Sequence, residues 1–319
     1  MFKSWFGRKS PDQQAPRQTA KGSSNLPKHP DGPRFPFGYN GPSLIFTSEV
    51  EHVASVELEN AIRRRVPEIS FDGAPAGPLE IGHRPTALGA YPETMKAVQS
   101  GRMPILCGLT YDPSINLDGL DQQSYVTSSW WWPETREVVA RTKAHAFTVV
   151  LGDFEKTPVK ERILIELQMV AAALDVLKSV TAVVWRDANA MWKPEMFLSE
   201  LRQANGDIPV RLIVAVKLGL DTENLRPDGQ PKLFARTEGL HAFGLMEVEW
   251  RAFDGEFPDL ANWMQGIAWY LVNKGPIIRD GESMGSDAPG VMPAVVIRHE
   301  SSTTVLGKCA YVVYPQQIN

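Results

Sequence analysis

The chain has 319 residues, 43% of them hydrophobic, with a formal net charge of -4 and a sequence pI near 5.9. That apolar content builds a sizeable core, and the lack of a cationic excess argues against a nucleic-acid partner tracked through its phosphates. The longest apolar runs, such as MVAAALDVL at 169–177, are broken by Asp175 and fall short of a bilayer-spanning length, so no stable membrane insertion is expected.

Residues 1–42 are dense in Pro, Gly, Ser, Gln and charge, and read as a disordered leader that cannot bury enough surface to offset its ordering entropy. The start MFKSWFGRKS lacks the apolar region and cleavage site of a secretory signal, which points to a cytoplasmic protein. Phe2, Trp5 and Phe6 with Lys3 and Arg8 form a small aromatic-basic tip. Residues 43–319 are expected to form one α+β domain, with two similar sub-halves, 43–155 and 156–319, as a further possibility.

In chain order, a strand is predicted at 43–50 and then a helix whose Val53, Val56, Leu58, Ile62 and Val66 mark one face. The loop-rich stretch 72–103 is expected to hold a strand near 79–82 and a short helix near 92–99, before a strand at 103–111. A polar connection leads into TSSWWWPETR, a helix to about 144 and a strand at 145–153. The clearest element is the helix 159–179, where Ile163, Leu164, Leu167, Val170, Ala171, Leu174 and Leu177 recur at three- and four-residue steps, with Asp153, Glu155 and Thr157 near its start. Strands at 180–186 and 210–220 flank a helix at 193–203 with Pro194 in its first turn. Paired strands across 232–252, a helix at 258–273 and two terminal strands complete the chain. Helices and strands interleave without strict βαβ alternation, so the expected class is α+β: mixed, largely antiparallel sheets with helices packed on them.

Trp130, Trp131 and Trp132 raise the main functional question. A helix advances about 100° per residue and a strand about 180°, so no element buries three consecutive rings on one face. At least one should point outward. Ser128 or Ser129 is expected to cap the following helix, with Pro133 in its first turn and Glu134 complementing its positive end. One reading is structural, with two rings packed at the helix base and the third over the core's end. The other is an aromatic platform for a protein partner, extended by Trp185 and Trp192 and rimmed by Arg186 and Asp187.

No nucleophile elbow, Walker loop, dinucleotide fingerprint or zincin motif occurs, and neither cofactor nor metal is implied. Gly239 and Gly244 read as turn or bulge positions, and Cys107 and Cys309 as buried thiols. Of the six histidines, His241 and His299 lie near carboxylates. Glu247 and Glu249 share a strand face, which suits acid–base chemistry or a solvated face alternating with inward Met246, Val248 and Trp250. RDGESMGSD at 279–287 offers Asp280, Glu282, Ser283 and Asp287 without the spacing of an EF-hand, and its Asp-Gly first signals a tight turn. A hydrolase reading would unite His241, Glu247, Glu249 and Asp280 in a C-terminal cleft.

GLHAFGLMEVEW, WMQGIAWYLVNKGPIIRDGESMG and VVIRHESS resemble the bacterial DUF4261 family, a domain of unassigned function. The resemblance is carried by Gly239, Phe243, Gly244, Glu247, Glu249, Gly275, Asp280, Gly281, Ser283 and Gly285, with WWWPE…AHAFTVVL and AVVWRDANAM upstream extending it toward 43–319. It implies a bacterial α+β domain of the kind found beside secreted polymorphic toxins, including type VI effectors, as immunity or accessory proteins. The leading expectation is therefore a non-enzymatic cytoplasmic module that binds a toxin or effector. The hydrolase is the alternative, and a scaffold tethered by its N-terminus is the third reading.

Overall fold

The computed structural model describes residues 43–71, 79–81, 84–90, 105–113, 125–126, 128–151, 158–286, 292–305 and 307–315. The expected leader 1–42, the helix near 92–99, the acidic start at 153–157 and Asp287 lie outside them.

The first sheet collects β1 (Leu44–Thr47), β2 (Leu79–Ile81), β3 (Arg84–Ala90), β4 (Leu106–Asp112), β5 (Ala144–Leu151), β6 (Val180–Trp185) and β7 (Ala190–Trp192), in the order β2-β3-β4-β5-β1-β6-β7. Every neighbouring pair is antiparallel. The second sheet contains β8 (Ala215–Leu225), β9 (Pro231–Glu238), β10 (Glu247–Phe253), β11 (Glu282–Met284), β12 (Val295–Ser301) and β13 (Cys309–Pro315), in the order β11-β12-β13-β10-β9-β8. Only β10 and β13 run parallel. The molecule is thus α+β with two mostly antiparallel sheets. The first sheet ends with β7 at Trp192 and the second begins with β8 at Ala215.

Helix α1 (Ser55–Arg65) starts where the Glu57 carboxylate accepts the Ala54 amide at 3.0 Å, and it ends in Arg63, Arg64 and Arg65, which suit the negative end of its dipole. It buries Leu58, Ala61 and Ile62, and the Arg65 fork clasps Asp175 with bonds of 2.8 and 2.6 Å. Helix α2 (Thr135–Arg141) precedes β5. Helix α3 (Val159–Val176) is buried well beyond the predicted stripe, with Arg162 and Glu166 inside. It has α1 and the first sheet beside it, and α4 (Pro194–Ala204) and the 310 turn Leu240–Phe243 against its other sides. Its run of Ala171, Ala172 and Ala173 lets these neighbours approach closely.

Residues 210–214 depart from the predicted strand. Val210–Ile213 form a single helical turn, α5, and the strand begins only at Ala215. Pro209 stands at the start of the turn, and Val210, Leu212, Ile213 and Val214 are all buried, so no alternation distinguishes strand from helix there. The end of α5 comes so near Gly239 (φ 122°) that a Cβ there would lie 2.2 Å from the Ile213 carbonyl oxygen. Only glycine fits.

Helix α6 (Phe257–Lys274) covers one face of the second sheet, where Trp263 stacks on Trp250 at 5.8 Å. One apolar core runs through both sheets and the helices between them. A satellite cluster of Leu44, Phe46, Tyr125, Trp132, Val139, Ala182, Val184 and Met191 lies on the opposite face of the first sheet. Cys107 is buried as expected, but Cys309 is exposed, because it opens β13 at the rim of the sheet. No described helix is long and apolar enough to cross a membrane.

Candidate functional site

The tryptophan segment bridges the two sheets. Trp132 is buried in the satellite cluster, Trp131 stacks on Trp192 at 4.7 Å, and Trp130 stands 46% exposed. Trp130 is nonetheless fixed: its indole N–H donates to the Val216 carbonyl of β8 at 3.0 Å, and its ring meets Trp131 edge-on at 5.7 Å. The serines do not cap α2. Ser129 Oγ instead accepts the Met191 amide of β7 at 2.8 Å, and Ser128 Oγ accepts from Lys217 Nζ of β8. The Lys217 ammonium also reaches the Asn189 carbonyl at 3.2 Å and Glu238 at 2.9 Å. Glu134 takes the position before α2 with no side-chain cap bond, and Pro133 precedes the helix.

Two of the proposed surface tryptophans are internal. Trp185 is 2% and Trp192 4% exposed. Alternation along β6 sends Val184 toward the satellite cluster and Trp185 the other way, into the main core, while Trp192 is roofed by Trp131. The exposed part of the patch is Trp130, Pro133 and Glu134, with half-buried Lys193 placing its Nζ 5.5 Å over the Trp132 ring and 3.9 Å from Glu134. Arg186 is exposed on the β6–β7 turn, whereas Asp187 is half-buried.

Asp187 interacts through its charge with Arg162, Glu166 and His241, and His241, which stands about half exposed, meets Glu247. Burial pushes the Asp187 carboxyl up, against the opposing charges of His241, Arg186 and Arg162. Burial and then the charge of Asp187 push Glu166 up to about 8. Glu166 Oε1 accepts the Ser43 amide at 3.0 Å, the Ser43 hydroxyl at 2.7 Å and the Thr148 hydroxyl at 3.3 Å, while Oε2 has no partner. The bare oxygen is the one left to carry the proton.

Glu247 staples the 310 turn. Its Oε1 accepts the amides of Gly239 and His241, both at 3.1 Å, and meets His241 Nδ1 at 3.0 Å, while Oε2 accepts the Thr237 hydroxyl at 2.7 Å. The bond to Glu247 raises the His241 pKa against burial; burial works against the Glu247 charge, yet His241 and Thr237 hold its carboxyl below the usual range. Glu249 is buried, not solvated. Arg251, Ser302, Thr303 and Thr304 surround it and outweigh burial to hold it at about 2. Asp280 accepts the His299 amide at 3.0 Å at the β11–β12 end of the sheet.

Of the four residues in the hydrolase reading, only His241 and Glu247 meet. Glu249 is enclosed by the β12–β13 loop, and Asp280 serves its own turn, so the expected four-residue cleft does not form. Each carboxylate accepts a backbone amide, which makes the motif a set of turn staples. Among the described residues, no group of three or more His, Cys, Asp or Glu side chains is arranged to hold a metal ion. Glu166, Arg162 and Lys217 were missed as site residues. Glu166 had a signal: it falls between Ile163 and Leu167 in an apolar stretch, four residues after Arg162.

Residues 236–303 match the family model described as "Domain of unknown function (DUF4261)". The matched span contains all three staples, Glu247, Glu249 and Asp280. No curated protein and no solved structure matches the chain.

Proposed function

We propose that this chain, which carries a DUF4261 segment at residues 236–303, is a protein-binding module that uses Trp130 as its anchor. The supporting observation is an indole that is 46% exposed yet held by Val216 and Trp131. A large ring already fixed in place loses little conformational freedom on binding, the property that makes tryptophan prominent among interface hot spots. Glu134 and Glu137 are exposed but paired with Lys193 and Arg141, so a basic partner is favoured by the net charge of -4 of the whole chain. The finer reading is a cytoplasmic immunity or accessory protein that covers a toxin or secreted effector; it draws on the DUF4261 resemblance and on this charge.

The test is co-expression with the product of the adjacent gene, followed by titration of the purified pair. A complex is expected, and Trp130→Ala should weaken it about 30-fold or more, as loss of a hot-spot residue does, while the loss of its bond to Val216 and its contact with Trp131 costs about 1–2 kcal/mol of stability, read from the melting curve alongside. No complex, or one indifferent to Trp130→Ala, overturns the reading.

A further inference from the structure

Helix α4 ends in a left-handed residue that is not glycine. Asn205, the residue after Ala204, takes φ 48° and ψ 48°, and Gly206 follows at φ 89°. Asparagine tolerates this conformation better than most side chains, which is why it recurs after helix ends. Of the asparagines among the described residues, only Asn205 stands before a glycine.

An asparagine followed by glycine has a chemistry of its own. The backbone nitrogen of the second residue can attack the side-chain carbonyl carbon of the first, closing a five-membered imide and releasing ammonia; asparagine is thermally labile for this reason. A side chain on the second residue hinders the approach, and hydrogen bonds to the attacking nitrogen or to the carboxamide oppose it. Neither obstacle is present at Asn205. Gly206 lacks a Cβ, and one built there would meet nothing within 4 Å. Both residues are exposed, and among the described residues neither the Asn205 carboxamide nor the Gly206 N–H has a hydrogen-bond partner. Asn224 is the contrast: its Nδ2 donates to both oxygens of Asp221, at 3.1 and 3.0 Å, and Leu225 follows it. Asn273 donates to the Trp269 carbonyl from within α6.

The turn is tied on either side of the reacting bond. The Asn205 amide donates to the Arg202 carbonyl at 3.2 Å, and the Asp207 amide to the Ala204 carbonyl at 2.9 Å. Attack requires rotation about ψ of Asn205, so one of these bonds must open first. Both belong to the end of a helix, where fraying costs least.

We propose that Asn205–Gly206 is a site of spontaneous covalent modification, in which the Gly206 nitrogen displaces ammonia from the Asn205 side chain and solvent water then opens the imide. In the first step the bond from Gly206 N to Asn205 Cγ forms, the Cγ–Nδ2 bond breaks, and the Gly206 amide proton leaves with the ammonia. Water then cleaves either C–N bond of the ring. Cleavage at Cγ restores the main chain with an aspartate at 205, and cleavage at the backbone carbonyl routes the chain through the side chain as isoaspartate. Either product adds a carboxylate at the negative end of the α4 dipole, beside Asp207, and makes the chain one charge more negative.

This inference is independent of the Trp130 reading. The test is peptide mapping by mass spectrometry of the full chain, held at physiological temperature and neutral pH through a time course. The peptide containing Asn205 should gain the mass of an NH2-to-OH exchange, divide into aspartate and isoaspartate forms, and do so on the order of tenfold faster than the peptides containing Asn224 or Asn273. The map separates it from Asn40–Gly41, which lies outside the described residues. Gly206→Ala restores a hindering Cβ and should slow the reaction on the order of tenfold. Asn205→Gln keeps Gly206 and the amide but would have to close a six-membered ring, and it should slow the reaction similarly with no change at the backbone of residue 206. An Asn205 peptide that keeps its mass, one modified no faster than that of Asn224, or an Asn205→Gln chain modified at the parental rate overturns the proposal.

Discussion

Glu166 in α3 and Glu249 in β10 are buried almost equally, 3% and 1% exposed, yet their carboxyls stand near opposite ends of the range, at about 8 and about 2. Burial pushes both upward. At Glu249 it is outweighed by the Arg251 fork, at 3.2 and 2.8 Å, together with the hydroxyls of Ser302, Thr303 and Thr304 and the Thr303 amide. At Glu166 all three donors converge on one oxygen and Asp187 adds a repelling charge, so the neutral acid wins. The supply of donors, rather than depth, decides whether a buried carboxyl keeps its charge.

The same substitution at the two sites should move stability in opposite directions. Glu249→Gln places an amide where the Arg251 guanidinium and three hydroxyls need a carboxylate, and it should cost on the order of 3 kcal/mol at pH 7, the free energy equivalent of the depressed pKa. Glu166→Gln replaces an acid that is already neutral in the fold, keeps an oxygen for Ser43, and cannot ionise on unfolding. It should stabilise the chain by roughly 1–3 kcal/mol at pH 7. Denaturant unfolding of the two variants checks both; a loss at Glu166→Gln matching that at Glu249→Gln would erase the distinction.

The pH dependence sharpens the contrast. Glu249 binds its proton more readily unfolded, so its stability contribution is complete above the ordinary glutamate pKa of about 4.3 and is lost as the pH falls toward about 2. Glu166 binds its proton more readily folded. Its contribution is full below about 4.3 and is lost as the pH rises through about 8. Unfolding free energies of the parent and Glu166→Gln should therefore diverge between pH 5 and 8, with the variant ahead at the alkaline end. Parallel curves would mean that Glu166 is ionised in the fold at neutral pH.

Much of this contrast was local and half of it was readable. The apolar stripe of α3 and the polar intruder at Glu166 lie within one helical turn, and period-two spacing puts Glu247 and Glu249 on one strand face. Ser302, Thr303 and Thr304 lie about fifty residues beyond Glu249 in sequence, and no pattern within β10 announces them. The tryptophans divide in the same way. Their order required one ring to point away from the core, and Trp130 does, but Val216 and Trp192 as the supports of Trp130 and Trp131 follow only from the meeting of the two sheets. Trp185 misled because its neighbours Arg186 and Asp187 mark a turn, whereas the ring belongs to the last inward position of β6.

The smallest expected effect isolates a single hydroxyl at each site. Ser302→Ala removes one donor from an ionised carboxylate and the acceptor of the Thr304 and Val305 amides, and its cost, about 2 kcal/mol, should stay level from pH 6 to 9.5 because Glu249 does not titrate there. Ser43→Ala removes the 2.7 Å donor from Glu166 and leaves the Ser43 amide in place. Below about pH 8 that bond serves a neutral acid and its loss should cost about 1 kcal/mol or less; above it the carboxylate needs the hydroxyl more, and the cost should grow. Denaturant midpoints of the two variants against the parent across this interval measure the difference, and a Ser43→Ala cost as flat as that of Ser302→Ala would place the Glu166 proton elsewhere.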